Sequence, residues 1–211
     1  MKMIEHTLVI IDWQKDFGRK DGNLYVPGAE NTEDYIVEYI DKYYEYILDV
    51  VFTIDWHTIY HCSFKRNGGT WPDHCRQFTE GAGVSEKILD ACIKYNLKIK
   101  YFIKGNIDNE EEYGAFDKVG VYTKPNAKLN SDLKLVVNNK SDNSQVIFEG
   151  RNIVVCGIAG DYCVKSSIEN LLKFNGPFNL NIFIFMNGIA SIDDGTTINN
   201  FIKEHNLETI E

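Results

Sequence analysis

No apolar run in the chain approaches the roughly 18 to 20 residues that a membrane-spanning helix needs. Basic residues are in deficit, with 22 Lys and Arg against 31 Asp and Glu and a net charge of -9. That balance argues against nucleic acid and against an anionic membrane as partners. Signal-peptide architecture is missing too, since Met1-Lys2-Met3-Ile4-Glu5-His6 runs straight into a strand-like segment. Paired Cys-x-x-Cys spacings are absent, and the five cysteines (Cys62, Cys75, Cys92, Cys156, Cys163) are odd in number. Without a secretion signal, such a count favours reduced thiols in the cytoplasm, so a special cysteine here is a nucleophile or a ligand. There are no repeats and no low-complexity tract. At 211 residues the chain suits one well-cored domain, residues 1–211, and is short for two.

Short apolar runs are what the chain does have: Thr7–Ile11, Val50–Ile54, Ile153–Cys156 and Ile182–Phe185, with a mixed fifth over Lys98–Ile103. Apolar strands with little alternation suit a parallel sheet covered on both faces. Helical spacing lies between them. After Asn31, Ile36, Ile40, Tyr43 and Ile47 recur at three- and four-residue steps, with Glu33 and Asp34 in the first turn. Ser85 is a cap for a helix carrying Ile88, Leu89 and Cys92. Asp161 is a cap for one carrying Val164, Ile168, Leu171 and Leu172, closed by Gly176. A last helix is predicted over about Thr196 to Glu204. Alternating strands and helices imply a doubly wound, mainly parallel α/β domain with helices on both faces, binding its ligands at the carboxyl ends of the strands. Thr58–Gly83 and Gly105–Lys128 read as loops over that edge, and Asn138–Ser144 as a polar turn.

Three of the five histidines fall between Asp55 and His74. Asp55 and His57 end a strand, and residues two apart on an extended chain share a face. His61 and His74 return from the loop that follows. A carboxylate with imidazoles suits zinc, iron or manganese. The plainer alternative, scattered loop histidines, fits four such residues beside one strand end poorly.

Other strand ends carry reactive groups as well. The first leads into Asp12-Trp13-Gln14-Lys15-Asp16-Phe17, the mixed strand into Lys104, and the Ile153–Cys156 strand through Gly157-Ile158-Ala159-Gly160-Asp161-Tyr162 to Cys163. In a doubly wound sheet all of these share one edge. Cys163 falls in the first turn of its helix, where the dipole and free N–H groups stabilise a thiolate, and the turn before it can aim N–H groups at an oxyanion. The alternative is a small buried apolar residue. Asp12 is a candidate general base beside a cationic lysine, or merely a strand-ending aspartate. Lys104 taken alone reads as a solvated lysine, Gln14 and Asp16 as turn caps, and Phe17 as core.

Taken together and in this order, Asp12–Phe17, Asp55-Trp56-His57, His61, Thr70-Trp71-Pro72-Asp73-His74-Cys75, Lys104-Gly105 and Gly157–Val164 resemble the nicotinamidase/pyrazinamidase branch of the isochorismatase-like cysteine hydrolases. The resemblance covers nearly the whole chain. It implies a triad of Asp12, Lys104 and Cys163, and a divalent metal, usually zinc, on Asp55, His57, His61 and His74. It also implies a cis peptide between Ile158 and Ala159, an oxyanion hole from the N–H groups of Ala159 and Cys163, and a ring pocket walled by Phe17, Trp71 and Tyr113. Two segments depart from the pattern: Asn106–Glu112 is unusually acidic for the loop after the lysine, and Asn139–Arg151 is extended.

The activity implied is hydrolysis of nicotinamide to nicotinate and ammonia, with pyrazinamide as a further candidate substrate. Cys163 would form a thioester, Asp12 would shuttle protons, and a metal would orient the pyridine ring. A related cysteine amidase or carbamoyl hydrolase is the alternative, although such relatives commonly lack the Asp/His set. An iron oxygenase would leave Cys163 and Lys104 without work. A structural zinc module would need adjacent residues, His61-Cys62 and His74-Cys75, to share one ion. A catalytically silent scaffold would not need all three triad residues. A homo-oligomer is compatible with the sequence, which does not fix the state.

Overall fold

In the computed structural model, which describes residues 4–123, 133–138, 145–173 and 179–211, six strands form one sheet in the order β3-β2-β1-β7-β8-β9. They are β1 (His6–Ile11), β2 (Ile47–Asp55), β3 (Ile99–Lys104), β7 (Asn152–Ile158), β8 (Asn181–Ala190) and β9 (Glu208–Ile210), and every neighbouring pair is parallel. Strands β4 (Lys118–Thr123), β5 (Leu133–Asn138) and β6 (Gln145–Phe148) make a separate antiparallel sheet.

The sheet is apolar on both faces, and the period of two along each strand divides it. Leu8, Ile10, Val50, Phe52, Val154 and Cys156 pack with Ile36 and Ile40 of α2 (Ala29–Tyr43) and Ile88 and Cys92 of α3 (Glu86–Lys94). Val9, Ile11, Val51, Ile153 and Val155 pack on the other face with Ile168 and Leu171 of α4 (Lys165–Lys173) and Ile198 and Phe201 of α5 (Thr196–Glu204). Helices therefore cover both faces, as the apolar strands imply. Full burial of a side chain such as Phe52 is worth about 1.5–3 kcal/mol. Among the described residues, no helix is long and apolar enough to cross a membrane.

Several boundaries differ from those read in the sequence. Helix α2 starts at Ala29, so Glu30 and not Glu33 or Asp34 is its first-turn acid. Ile47 opens β2 instead of closing α2, because its spacing fits both periods and pairing with His6 of β1 takes it. Gly105–Lys128 is not all loop, since β4 begins at Lys118. Most of the predicted polar turn at Asn138–Ser144, and Gly176, lie outside the described residues.

The strand order runs outward from β1 to β2 and β3 on one side and to β7, β8 and β9 on the other. The crevice between the carboxyl ends of β1 and β7 is therefore the switch point where such sheets bind ligands. Asp12 follows β1 and Cys163 follows β7.

Candidate active site

Strand register brings the first two groups together: Asp55, the last residue of β2, is the lateral partner of Lys104, the last of β3. Lys104 is fully buried. Its ammonium lies 2.8 Å from Asp12 Oδ2, ion-pairs with Asp55 Oδ1, and donates at 3.3 Å to the Glu112 carbonyl. Two carboxylates and a carbonyl thus surround the ammonium, the condition for burying a lysine charge. It is not a solvated lysine. The Cys163 sulfur lies 3.9 Å from the same nitrogen. Asp12, Asp55 and Cys163 offer ligand atoms that all lie within 4.8 Å of one another, a metal-like arrangement whose cation is already Lys104.

Asp12 sits in the left-handed region at φ 44°, an uncommon conformation for a residue with a side chain. Thr53, in the middle of β2, holds it from two sides. Its hydroxyl accepts from the Asp12 N–H at 3.0 Å and donates to Asp12 Oδ1 at 2.5 Å. Burial raises the Asp12 pKa, and Lys104 works against that rise. Burial also pushes the Cys163 thiol well above its ordinary value, against the pull of Lys104. Burial thus works against the thiolate that the helix start favours, and Lys104 works for it.

Cys163 belongs to a π-helical turn, Gly160–Val164, that feeds α4. Asp161 does not cap it; its carboxylate accepts from the N–H groups of Ile192 and Asp193 at 2.9 and 3.0 Å and ties this turn to the loop after β8. The Ile158–Ala159 peptide is cis, as the resemblance implies.

The second cluster lies alongside. Asp55, His57 and His74 are buried and present ligand atoms within 4.8 Å of one another. Each histidine is oriented through Nδ1, which donates to the Gly105 carbonyl at 2.6 Å in His57 and to the Pro72 carbonyl at 2.8 Å in His74. A carbonyl can only accept, so Nδ1 carries a hydrogen in each ring and Nε2 is the nitrogen turned to the cluster, the arrangement of a ligating histidine once the ring is neutral. Burial lowers the His57 pKa, but Asp55, whose Oδ2 lies 3.5 Å from His57 Nε2, outweighs it and raises the pKa. At Gly105, φ is +68° and a Cβ would fall 2.5 Å from His57 Cε1, so only glycine fits there. Burial pushes Asp55 up, but Lys104 and His57 outweigh it and hold the carboxylate well below its usual range. Burial lowers His74 to about 4 despite Asp55, leaving it neutral at pH 7. One carboxylate and two neutral-capable imidazoles fit a borderline divalent ion with positions left open.

His61 is beside this group but not in it. Its ring lies 4.1 Å from that of His57, while Nδ1 meets Ser63 Oγ at 2.8 Å and Nε2 meets the Glu110 carbonyl at 3.0 Å. Both nitrogens are engaged, so ligation by His61 requires release of Glu110.

Gln14 and Asp16 do more than cap a turn. The Gln14 amide accepts from Asp55 N–H at 2.7 Å and donates to the carbonyls of Asp55 and Ala82 at 2.8 Å. Asp16 accepts from Cys75 N–H at 2.7 Å, fixing the backbone next to His74. The two residues tie the segment after β1 to both parts of the metal-capable cluster.

The three sequence-predicted wall residues, Phe17, Trp71 and Tyr113, line one pocket with Cys163, His74, Asp55 and Ala159. It holds about 400 Å³ of space, counting its open mouth. Trp71 donates from Nε1 to the Tyr113 hydroxyl at 3.1 Å, and Tyr162 packs against both rings. Leu24, Val26, Glu111 and Ile192 complete the lining and were not foreseen. The signal for Thr53 was a lone polar residue inside an apolar strand; nothing in the sequence marks Ile192.

No protein-family model matches the chain. The nicotinamidase of Saccharomyces cerevisiae is 23% identical, over 97% of this chain and 99% of its own length. That of Escherichia coli is 28% identical, over 84% of this chain and 81% of its own. Among solved structures, PnC1 from L. infantum in complex with nicotinate superposes with a TM-score of 0.74 at 24% identity, covering 100% of this chain and 94% of that one. The pyrazinamidase of Pyrococcus horikoshii in complex with zinc gives 0.66 at 22%, covering 98% and 99%. The chain has the nicotinamidase/pyrazinamidase fold. This bears out the isochorismatase-like architecture and the resemblance read from the motifs.

Proposed function

We propose that this chain, as a single domain over residues 1–211, hydrolyses nicotinamide to nicotinate and ammonia through a thioester on Cys163. The observation that carries the reading is the convergence of Asp12 and Cys163 on the buried Lys104 ammonium, with Cys163 opening into the pocket lined by Phe17, Trp71 and Tyr113. Both curated relatives named above are nicotinamidases, and the L. infantum structure holds nicotinate.

Asp12 takes the thiol proton as Cys163 Sγ attacks the carboxamide carbon, with Lys104 offsetting the buried negative charge. The N–H groups of Ala159 and Cys163 stabilise the oxyanion. Asp12 then returns its proton to the leaving nitrogen, the C–N bond breaks and ammonia departs. In the second half Asp12 takes a proton from water as its oxygen attacks the thioester. The C–S bond breaks and the thiol is restored, so the net change adds one water and releases acid and ammonia.

Asp55, His57 and His74 would hold a divalent ion, with His61 as a fourth ligand; zinc is the choice by analogy with the P. horikoshii pyrazinamidase. When bound, the ion supplies open coordination positions for the pyridine nitrogen and so orients the ring. Phe17, Trp71 and Tyr113 sandwich the ring, and its neutrality suits their apolar faces. Pyrazinamide, with the same carboxamide on a ring of similar size, is a second substrate, and the reading places the enzyme in the cytoplasm.

Purified, metal-loaded protein should release ammonia from nicotinamide, and the Cys163→Ala variant should not. Absence of ammonia release from the loaded wild type overturns the proposal.

A further inference from the structure

We propose that Glu111, a rim carboxylate of the ring pocket, makes the site discriminate against anionic ligands, so that the carboxylate product is held less tightly relative to the neutral carboxamide. This deepens the nicotinamidase reading and rests on it. The pocket is otherwise apolar and aromatic apart from His74, and its carboxylates are Asp55 and Glu111. They are not equivalent. Asp55 is ion-paired with Lys104 on the pocket floor and faces His57 and His74. Glu111 is on the exposed side, and among the described residues no lysine or arginine pairs with it. Asp55, His57 and Lys104 act on it only through space, so no ion-pair partner among the described residues neutralises its charge at the pocket wall.

The loop that carries Glu111 is fastened on both sides. Cys62 N–H donates to the Asp108 carbonyl at 2.6 Å, and Gly105 N–H donates to Glu112 Oε2 at 2.9 Å. Glu111 sits between these two tethers, at Asp108 and Glu112, and lines the pocket. The reaction converts a neutral amide into an anion inside this pocket. A fixed carboxylate at the rim leaves the amide almost untouched and repels the acid, since Coulomb energy needs charge on both partners. The acidic departure after Lys104 thus acquires a purpose in product release.

The test compares binding of pyridine-3-carboxylate and pyridine-3-carboxamide by calorimetry, in metal-loaded Cys163→Ala protein with and without Glu111→Gln. The ratio of the acid's dissociation constant to the amide's is expected to fall roughly fivefold in the Gln variant. Salt at about 0.5 M should narrow the ratio in the parent and change it little in the variant, because an exposed charge is screened. Glu111→Ala should match Glu111→Gln. A disturbed pocket would weaken both ligands and leave the ratio where it was. An unchanged ratio, or failure of the pocket to bind either ligand, overturns the inference. Ammonia release by the wild type is scored separately, so loss of that activity reading and loss of this one are told apart.

Discussion

Lys104 is the residue on which the site's electrostatics turn. It compensates Asp12 and Asp55 together and touches the Cys163 sulfur. Removing it leaves two buried carboxylates without their cation, so Lys104→Ala should cost about 3–5 kcal/mol in urea unfolding. It should also move the pH profile in a definite direction. Burial raises the Asp12 pKa and Lys104 lowers it. The base must be ionised to act, so activity falls as pH drops through that pKa. Without Lys104 the pKa rises further, and the acid limb of the rate profile moves to higher pH. An unmoved limb would show that the lysine has no hold on the base. Asp12→Asn should cost about two or more orders of magnitude in rate, since base and returning acid go together. At this scale the sequence was legible wherever a side chain's chemistry matched its position. The triad residues meet, but the burial that raises the Cys163 thiol comes from the packed face of the sheet beneath it and could not be read from the helix start alone.

Elements explain which sequence signals held. Ser85 was read as a helix cap and is one: its Oγ accepts from Ile88 N–H at 3.0 Å and donates to Glu33 Oε1 of α2 at 2.5 Å. Ser85→Ala should therefore destabilise the protein by about 1 kcal/mol in thermal or urea unfolding while leaving turnover intact. Loss of activity out of proportion to stability would tie α3 to the site. Asp161 carried the same kind of signal and failed, because the loop after β8 offered it two N–H groups while the turn after Ala159 became π-helical. Ile47 failed by satisfying two periods at once. Strand ends were the reliable part, since apolar runs that stop at a charged residue mark the sheet's carboxyl edge. The cross-ties by Gln14, Asp16 and Thr53 were not legible, because they join a side chain to a backbone N–H some 40 to 60 positions away.

At the scale of the whole molecule, the sheet order sets Asp12 and Cys163 on either side of the switch point, with the metal-capable cluster next to them at the carboxyl end of β2 and in the loop that follows. An ion there should serve the substrate more than the fold. Chelation is expected to raise the Michaelis constant or abolish activity while shifting the melting temperature only modestly, and His57→Ala and His74→Ala should mimic it. Benzamide, which lacks the ring nitrogen, should be a poor substrate; equal turnover of benzamide and nicotinamide would remove the ion from substrate binding. The central claim is that Cys163 carries the acyl group. Acid quenching of the protein during turnover of nicotinamide, followed by peptide mass spectrometry, tests it most directly. The account predicts one added pyridinecarbonyl group on the peptide bearing Cys163 and none in Cys163→Ala. The same group on Cys62 or Cys75, or full turnover by Cys163→Ala, would contradict it.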